Sequence, residues 1–125
     1  MTGLWILVAG PYTSGAANEA ERTRNLEAMN DAAWHLWQQG HVPVIGVNMA
    51  LPVIAAAGAD RFEDIMMPLS LAVAERCDAC LRIGGASTGA DAEVERMRAA
   101  GKPVYFSLNE VPAAHLAIQR PSSRT

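Results

Sequence analysis

The feature that most constrains the fold is an apolar run near the N-terminus, LWILVAG at residues 4–10, which ends at Gly10 and Pro11. A continuous apolar run of this length is typical of a strand that is buried on both faces. Such strands belong to parallel sheets, whose crossover connections place helices on both sides. The run therefore predicts the first strand of a parallel α/β sheet.

The rest of the chain alternates helical and strand patterns. A first helix, with Asn18 and Glu21 as a capping box, is expected to end at Gly40, and HVPVIGV, DACLRIGG and KPVYFSL predict three more strands. Right-handed crossovers then give a three-layer α/β sandwich around a parallel sheet of four to five strands. We expect a single domain over residues 1–118 and a disordered tail at 119–125.

The segment VNMALPVIAAAGA, residues 47–59, is too apolar for a solvated loop. Pro52 and Gly58 interrupt it too strongly for a long helix. A segment of this kind usually lines a pocket or contacts a partner subunit. We therefore expect a homo-oligomer, and we expect Asn48 to contact the substrate.

The helix that follows is expected to begin at Asp60, as a cap paired with Glu63. Pro68 lies inside its apolar pattern and predicts a kink or a second helix start. A last short helix is expected near NEVPAAHLAIQ.

Composition excludes several functions. Half of the 125 residues are apolar and the net charge is −3, so neither a disordered chain nor a basic nucleic-acid-binding face is expected. No apolar stretch is long enough to span a membrane. Because no Lys or Arg precedes the first apolar run, we expect no secretory signal and a cytoplasmic protein.

The cysteines have the spacing of a redox motif, CDAC, at Cys77 and Cys80. A redox pair gains its reactivity at the start of a helix, whereas this pair is expected to close a helix and enter a strand. A structural role is therefore favoured over a redox role. His35, His41 and His115 are scattered, so no metal site is expected.

An acidic residue interrupts the apolar pattern of the helix in GADAEVERMRAAG. Ala90, Val94 and Met97 form its inward stripe, and Glu93 falls on the same side. One interpretation is a functional carboxylate at the carboxyl end of the sheet. The other is a side chain that flanks the stripe and reaches solvent.

The turn before this helix favours the functional interpretation. Gly84, Gly85 and Gly89 allow a tight turn, and the amides of residues 87–90 lie at a helix N-terminus that suits an anion. The spacing matches neither a Walker A loop nor a dinucleotide-binding loop. Kinases and nicotinamide enzymes are therefore disfavoured, and no cofactor is expected.

Together, ILVAGPY and CDACLRIGGASTGADAE resemble the nucleoside 2-deoxyribosyltransferase-like superfamily, in particular a small bacterial branch with an S-x-G-A-x-x-E motif. The resemblance covers residues 4–106 and implies a flavodoxin-like fold. It also implies a nucleoside or nucleotide as the small-molecule partner. By motif, Glu93 would be the nucleophile that attacks the anomeric carbon and releases the base, a reaction that needs a sheltered carboxylate.

The resemblance assigns further residues to the substrate site. Gly10 and Pro11 would pack against the sugar, and Tyr12 would position nucleophile and substrate; the alternative for Tyr12 is a packed loop residue. Ser87, beside Gly89, would help to hold a 5′-phosphate, although a helix N-cap explains Ser87 equally well.

One position departs from the superfamily. An aspartate that serves as acid or sugar contact often stands eight residues before the position of Asp78, and Ser70 occupies that place here. Unless Asp64 or another residue replaces it, the leaving base lacks a proton donor.

Three functions remain open. The first is an N-glycosidase or deoxyribosyltransferase that acts on a nucleoside or a nucleoside 5′-monophosphate. The second is a non-catalytic domain that binds or senses a nucleotide. The third is a phosphoribohydrolase similar to the cytokinin-activating enzymes, whose glycine-rich motif has a different spacing.

Overall fold

A computed structural model describes residues 3–114. The strands are β1 (Trp5–Ala9), β2 (Val42–Val44), β3 (Ala79–Arg82) and β4 (Val104–Tyr105), and the α-helices are α1 (Glu19–Gln38), α2 (Gly46–Ala57), α3 (Phe62–Arg76) and α4 (Thr88–Ala99). Short 3₁₀ turns lie at Ala59–Arg61 and Leu108–Glu110. The sheet has the order β2-β1-β3-β4, and all pairings are parallel. The predicted parallel α/β fold is confirmed.

The central strand, β1, is buried on both faces, as its unbroken apolar run predicted. Ile6 and Val8 pack with α1 on one face of the sheet, and Leu7 and Ala9 pack with α3 and α4 on the other. A third apolar cluster, of Ala50, Ile54 and Met66, joins α2 to α3.

The capping box of α1 forms as expected. Asn18 Oδ1 accepts a hydrogen bond from the Glu21 amide at 2.9 Å, and Glu21 Oε1 accepts one from the Ala17 amide at 2.7 Å. These bonds satisfy amides that the first turn of a helix leaves without partners. Gly40, with φ of 97°, follows the last turn.

The secondary structure predicted for residues 47–59 is wrong, because α2 is a helix of 12 residues that contains Pro52. The expectation that this segment lines a pocket is confirmed by Leu51 and Ala59, which line a cavity. A proline cannot donate the intrahelical hydrogen bond to the carbonyl four residues earlier. Here that carbonyl belongs to Asn48, and both Asn48 and Pro52 are exposed to water. The packing of Ala50 and Ile54 against α3 outweighs that local cost. The helix ends at Gly58, whose φ is 119°.

The start of α3 also differs from the prediction. Asp60 lies in the 3₁₀ turn, and the N-cap residue of α3 is Arg61, which makes no capping bond through its side chain. The positive φ of Gly58 turns the chain before Asp60 can reach a capping position. The helix continues through Pro68, so a second start there is wrong.

The C-terminal predictions are tested only in part. The 3₁₀ turn Leu108–Glu110 occupies the beginning of the expected short helix. Residues 111–114 are not helical, so the helix prediction is wrong there. The rest of that helix, the expected domain end at residue 118 and the tail at 119–125 lie outside the described residues. Within residues 3–114, no helix is long and apolar enough to cross a membrane.

Candidate functional site

The loops after β1 and β3 meet at the carboxyl edge of the sheet, because the two strands are hydrogen-bonded neighbours. Gly84 has φ of 79°, and a Cβ on it would lie 2.7 Å from Cδ of Pro11. A Cβ on Gly10 would lie 3.1 Å from Cγ1 of Ile83. The glycines therefore permit close contact between two loops that were both predicted to carry function.

Ser87 is the N-cap of α4. Its Oγ accepts a hydrogen bond from the Ala90 amide at 3.1 Å, and the residue is 6% exposed. The capping alternative for Ser87 is therefore confirmed, and its contact with a 5′-phosphate stays a prediction. Gly89, in the next turn, lets α4 approach α3, since a Cβ there would lie 3.1 Å from the sulfur of Met67.

Glu93 is buried on the inward side of α4 with Ala90, Val94 and Met97. Only 8% of the residue is exposed, so the alternative of a side chain that reaches solvent is wrong. Its carboxyl group has no hydrogen-bond or ion-pair partner within residues 3–114. A carboxylate that is largely shielded from water and accepts no hydrogen bond is costly to ionise.

The ionisation of Glu93 reflects this environment. Burial raises the pKa of Glu93 from 4.5 to about 8, and the positive charge of Arg82 acts in the opposite direction. We expected the N-terminus of the helix to keep the carboxylate ionised, and burial outweighs that effect. Strongly shifted carboxyl groups are concentrated at functional sites, which makes Glu93 the leading candidate for chemistry.

Sequence analysis missed Arg82, the last residue of β3. Its side chain is only 10% exposed, and it donates hydrogen bonds to the carbonyl oxygens of Ile83 and Gly85 and to Asp91 at 3.3 Å. The strand pattern already marked Arg82 as unusual. Arg82 pairs with Ala9 in the register, on the face that packs against α4, where alternation predicts an apolar residue.

A cavity of about 610 Å³, which we call the tyrosine cleft, opens beside the loop after β1. It is lined by Tyr12, Thr13, Arg22, Leu51, Ala59, Asp60, Phe62 and Glu63. The polar groups around an apolar floor are of the kind that orient a small ligand. Sequence analysis missed Arg22 and treated Asp60 and Glu63 only as a helix cap.

Tyr12 is a packed loop residue, as one alternative predicted, and its role in positioning nucleophile and substrate stays a prediction. It lines the tyrosine cleft, and it packs against two of the three apolar clusters. Its carbonyl oxygen accepts a hydrogen bond from Asn25 Nδ2 at 2.9 Å, which fixes the loop to α1. Glu93 is not among the residues that line this cleft.

A second cavity, of about 480 Å³, lies over the glycine turn; we call it the glycine-loop cleft. It is lined by Arg82, Ile83, Gly84, Gly85, Ala86, Asp91 and Phe106. Arg98 lies over the ring of Phe106, at 5.7 Å from its centroid. Arg82 therefore lines this cleft while its charge also acts on the buried Glu93.

Three other positions that the sequence singled out lie apart from the clefts. Asn48 is exposed on α2 and donates a hydrogen bond to Asn30 Oδ1 on α1 at 2.8 Å, so its contact with substrate stays a prediction. Ser70 is 2% exposed and lies against Gly46, where a Cβ would approach its Oγ to 2.6 Å. Asp64 is exposed and pairs with Arg61, away from both cleft linings.

The cysteines lie as predicted, with Cys77 at the C-cap of α3 and Cys80 inside β3. Both are buried free thiols, and burial raises the pKa of Cys77 to about 11 and that of Cys80 to about 12. Neither thiol is a nucleophile at neutral pH. Within residues 3–114, no group of three or more His, Cys, Asp or Glu residues is placed to hold a metal ion.

Comparisons with known proteins agree with this architecture. A 2-deoxyribosyltransferase from Bacillus psychrosaccharolyticus, described as a biocatalyst for the synthesis of nucleosides, is among the similar solved structures. The alignment has a TM-score of 0.59 and 20% identity, and it covers 89% of this chain and 82% of that one. The two chains share a fold. No protein-family model and no curated protein matches the sequence.

Proposed function

We propose that this protein is a nucleoside 2-deoxyribosyltransferase-like enzyme that cleaves the bond between base and sugar in a nucleoside or nucleoside 5′-monophosphate. The observation that carries the proposal is Glu93, a buried carboxyl group without a partner in the described chain, placed after the strand that neighbours β1. The shared 2-deoxyribosyltransferase fold supports the same assignment.

In the proposed reaction, an ionised Glu93 oxygen attacks the anomeric carbon of the sugar. The new carbon–oxygen bond forms as the carbon–nitrogen bond breaks, and the electron pair leaves with the base, which takes up a proton. Water then opens the sugar ester and restores the carboxylate, or a second base does so in a transferase. Burial suits this role, because a poorly solvated carboxylate is a strong nucleophile once it loses its proton.

The proton for the leaving base needs a donor, and Ser70 is not an acid. Asp60 and Glu63 bring two carboxyl groups to the tyrosine cleft, together with the phenol of Tyr12. We assign the donor to one of these two acids. Asp60→Asn or Glu63→Gln should then lower the rate by about 10² to 10⁴, the usual contribution of a general acid.

Substrate recognition is proposed to involve both loops at the carboxyl edge. Gly10 and Pro11, in the loop that packs against the glycine turn, are proposed to lie next to the sugar, and Tyr12 lines the cleft beside them. Arg22 supplies a cation in the same cleft, which favours a substrate that carries a phosphate. Ser87 retains a hydroxyl proton that can be donated to such a phosphate.

A homo-oligomer in the cytoplasm also remains a proposal. Met49 and Val53 on α2 are 50% and 45% exposed, and the helix contains no charged residue. An uncharged apolar helix face favours contact with a second copy of the chain. Sedimentation velocity of wild type and Val53→Glu tests this, because a monomer in both cases would remove the proposal.

The experiment that tests the function is chromatographic detection of free base released from deoxynucleosides, ribonucleosides and their 5′-monophosphates. Glu93→Gln should lower release at least about 10³-fold while ligand affinity stays within about tenfold. Glu95→Gln, on the exposed side of the same helix, is the matched control and should retain activity. Release that is unchanged in Glu93→Gln would exclude Glu93 as the nucleophile.

A second candidate, a nucleotide-binding or sensing domain, is favoured by the absence of Glu93 from the lining of the tyrosine cleft. In that case calorimetry would detect binding of a nucleotide, and no base would be released from any substrate. The affinity would fall in Arg22→Ala and would not change in Glu93→Gln. Measurement of binding and turnover on the same samples separates the two functions.

A further inference from the structure

Arg82 is held in one orientation by hydrogen bonds on both sides of the glycine turn. It donates to the carbonyl oxygens of Ile83 and Gly85, which follow it, and to Asp91 in the first turns of α4. A planar guanidinium with several fixed donors is suited to join two segments in this way. The end of β3, the glycine turn and the start of α4 are therefore held together by one side chain.

The same side chain acts on two carboxyl groups with opposite exposure. Asp91 has 70% of its side chain exposed, whereas Glu93, two residues later, is buried beneath the helix. Arg82 lies within 4 Å of Asp91, and its charge also acts on Glu93. An exposed ion pair is weak because water screens it, so Asp91 leaves much of the charge available to the buried group.

The other ionisable groups that act electrostatically with Glu93 stay uncharged. Cys77, at the end of α3, and Cys80, on β3, have thiols whose pKa is raised to about 11 and about 12. Lys102 acts on Cys77, and Arg82 acts on both Cys80 and Glu93. Between pH 5 and pH 9, Arg82 therefore carries the charge that counteracts the effect of burial on the pKa of Glu93.

We propose that Arg82 is a positioning residue for Glu93, which fixes the glycine turn to α4 and favours the ionised carboxylate through a charge shared with Asp91. The contribution of Arg82 to catalysis rests on the proposed function. Its effect on Glu93 does not, because the ionisation of Glu93 can be observed without substrate.

The test is an NMR titration of protein labelled with ¹³C at the glutamate side-chain carboxyl, in which the signal that is absent from Glu93→Gln identifies Glu93. Arg82→Gln should raise the titration midpoint of Glu93 by about one unit or more, because an opposite charge nearby is removed. Arg82→Lys should stay close to wild type. Asp91→Asn should lower the midpoint, because Arg82 then loses its competing partner.

Opposite shifts in Arg82→Gln and Asp91→Asn are expected for two opposite charges near Glu93, and loss of packing alone would not produce them. The shared charge is tested by the double variant, because Asp91→Asn should lower the midpoint less in the Arg82→Gln background than it does alone. Amide spectra of each variant report whether the fold is intact. An unchanged Glu93 midpoint in folded Arg82→Gln would overturn the proposal. If Arg82→Gln does not fold, the Asp91→Asn variant alone tests the proposal. An unchanged or raised Glu93 midpoint in Asp91→Asn would also overturn the proposal.

The result is separable from the test of the function. If no base is released from any substrate while the midpoints shift as expected, the proposed function fails and the role of Arg82 stands. If base is released, the pH dependence of the rate should shift in the same direction as the NMR midpoint in each variant. A rate that falls in Arg82→Gln without a shift in its pH dependence would contradict the proposal.

Discussion

The two faces of the sheet are built from the same strands and differ in what they bury. On the α1 face, Ile6, Val8, Ala79 and Leu81 meet Leu36 and other apolar residues of the helix. The opposite face has a similar apolar floor and adds Arg82 and Glu93 at its carboxyl end. The first face is explained by packing and by the buried His41 beside Leu36, and the ring nitrogens of His41 are hydrogen-bonded to the Leu4 amide and the Pro112 carbonyl. The second retains two ionisable groups, of which Glu93 has no hydrogen-bond partner within residues 3–114, and such a cost in stability is typical of a functional site.

Leu36, on the α1 face, should therefore show a loss of stability that depends on volume and is the same at each pH. Leu36 is fully buried, and Leu36→Ala should lower the free energy of unfolding by about 4 kcal/mol through lost transfer energy and an unfilled cavity. Urea unfolding at pH 5 and pH 8 should give the same loss. Glu27→Ala, at an exposed position of the same helix, is the control and should change stability by less than about 0.5 kcal/mol.

A loss for Leu36→Ala that differs by several kcal/mol between the two pH values would contradict the comparison. It would mean that the α1 face is coupled to the titration of Glu93 across the sheet.

The α4 face should respond to pH. The pKa of Glu93 is about 8 in the folded protein, above its ordinary value of 4.5. Between pH 4.5 and about pH 8, Glu93 is ionised in the unfolded chain and protonated in the folded protein. The free energy of unfolding therefore falls as the pH rises. Glu93→Gln removes this loss and should gain roughly 3 kcal/mol over wild type between pH 5 and pH 8.

The measurement is urea unfolding of wild type and Glu93→Gln across that pH range. Glu95→Gln, exposed on the outer side of α4, should show no comparable pH-dependent gain. If Glu93→Gln is less stable than wild type at pH 8, Glu93 has a stabilising partner in the folded protein, and the contrast between the two faces fails.

The fold was predictable because its signals are local and redundant. The apolar run at residues 4–10 required a doubly covered strand, and the cap at Asn18 marked the first helix. The segment at 47–59 was misjudged because a proline at an exposed position costs less than the tertiary packing of Ala50 and Ile54 gains. Rules based on local sequence include the cost of the proline and omit the gain from tertiary packing.

The site was predictable only in part, for a related reason. Glu93 broke a helical stripe and was visible for that reason. Arg82 broke a strand pattern only once the register placed it opposite Ala9, and Asp60 was misjudged because a cap and a cleft wall have the same local sequence. The raised pKa of Glu93 depends on burial by α3 and β3, which no spacing along the chain reports.

The pH dependence of the rate tests whether the α4 face is used in its ionised form. A nucleophilic Glu93 must lose its proton first, so release of a leaving group that needs no proton should rise about tenfold per pH unit below pH 8 and level off above it. Between pH 6 and pH 8 the gain should be about fiftyfold. A rate that does not rise over this range would exclude Glu93 as the nucleophile.

The smallest effect is expected at Asn48, away from both faces of the sheet. Its exposed hydrogen bond to Asn30 joins α2 to α1, and the loss of one exposed neutral bond costs less than about 1 kcal/mol. Asn48→Ala should therefore leave the protein folded, so calorimetry with nucleotides tests the predicted contact of Asn48 with the substrate. Asn30→Ala removes the same bond and is the matched control for stability. If Asn48→Ala weakens binding and Asn30→Ala does not, Asn48 contacts the substrate, and the site extends beyond the two clefts onto α2.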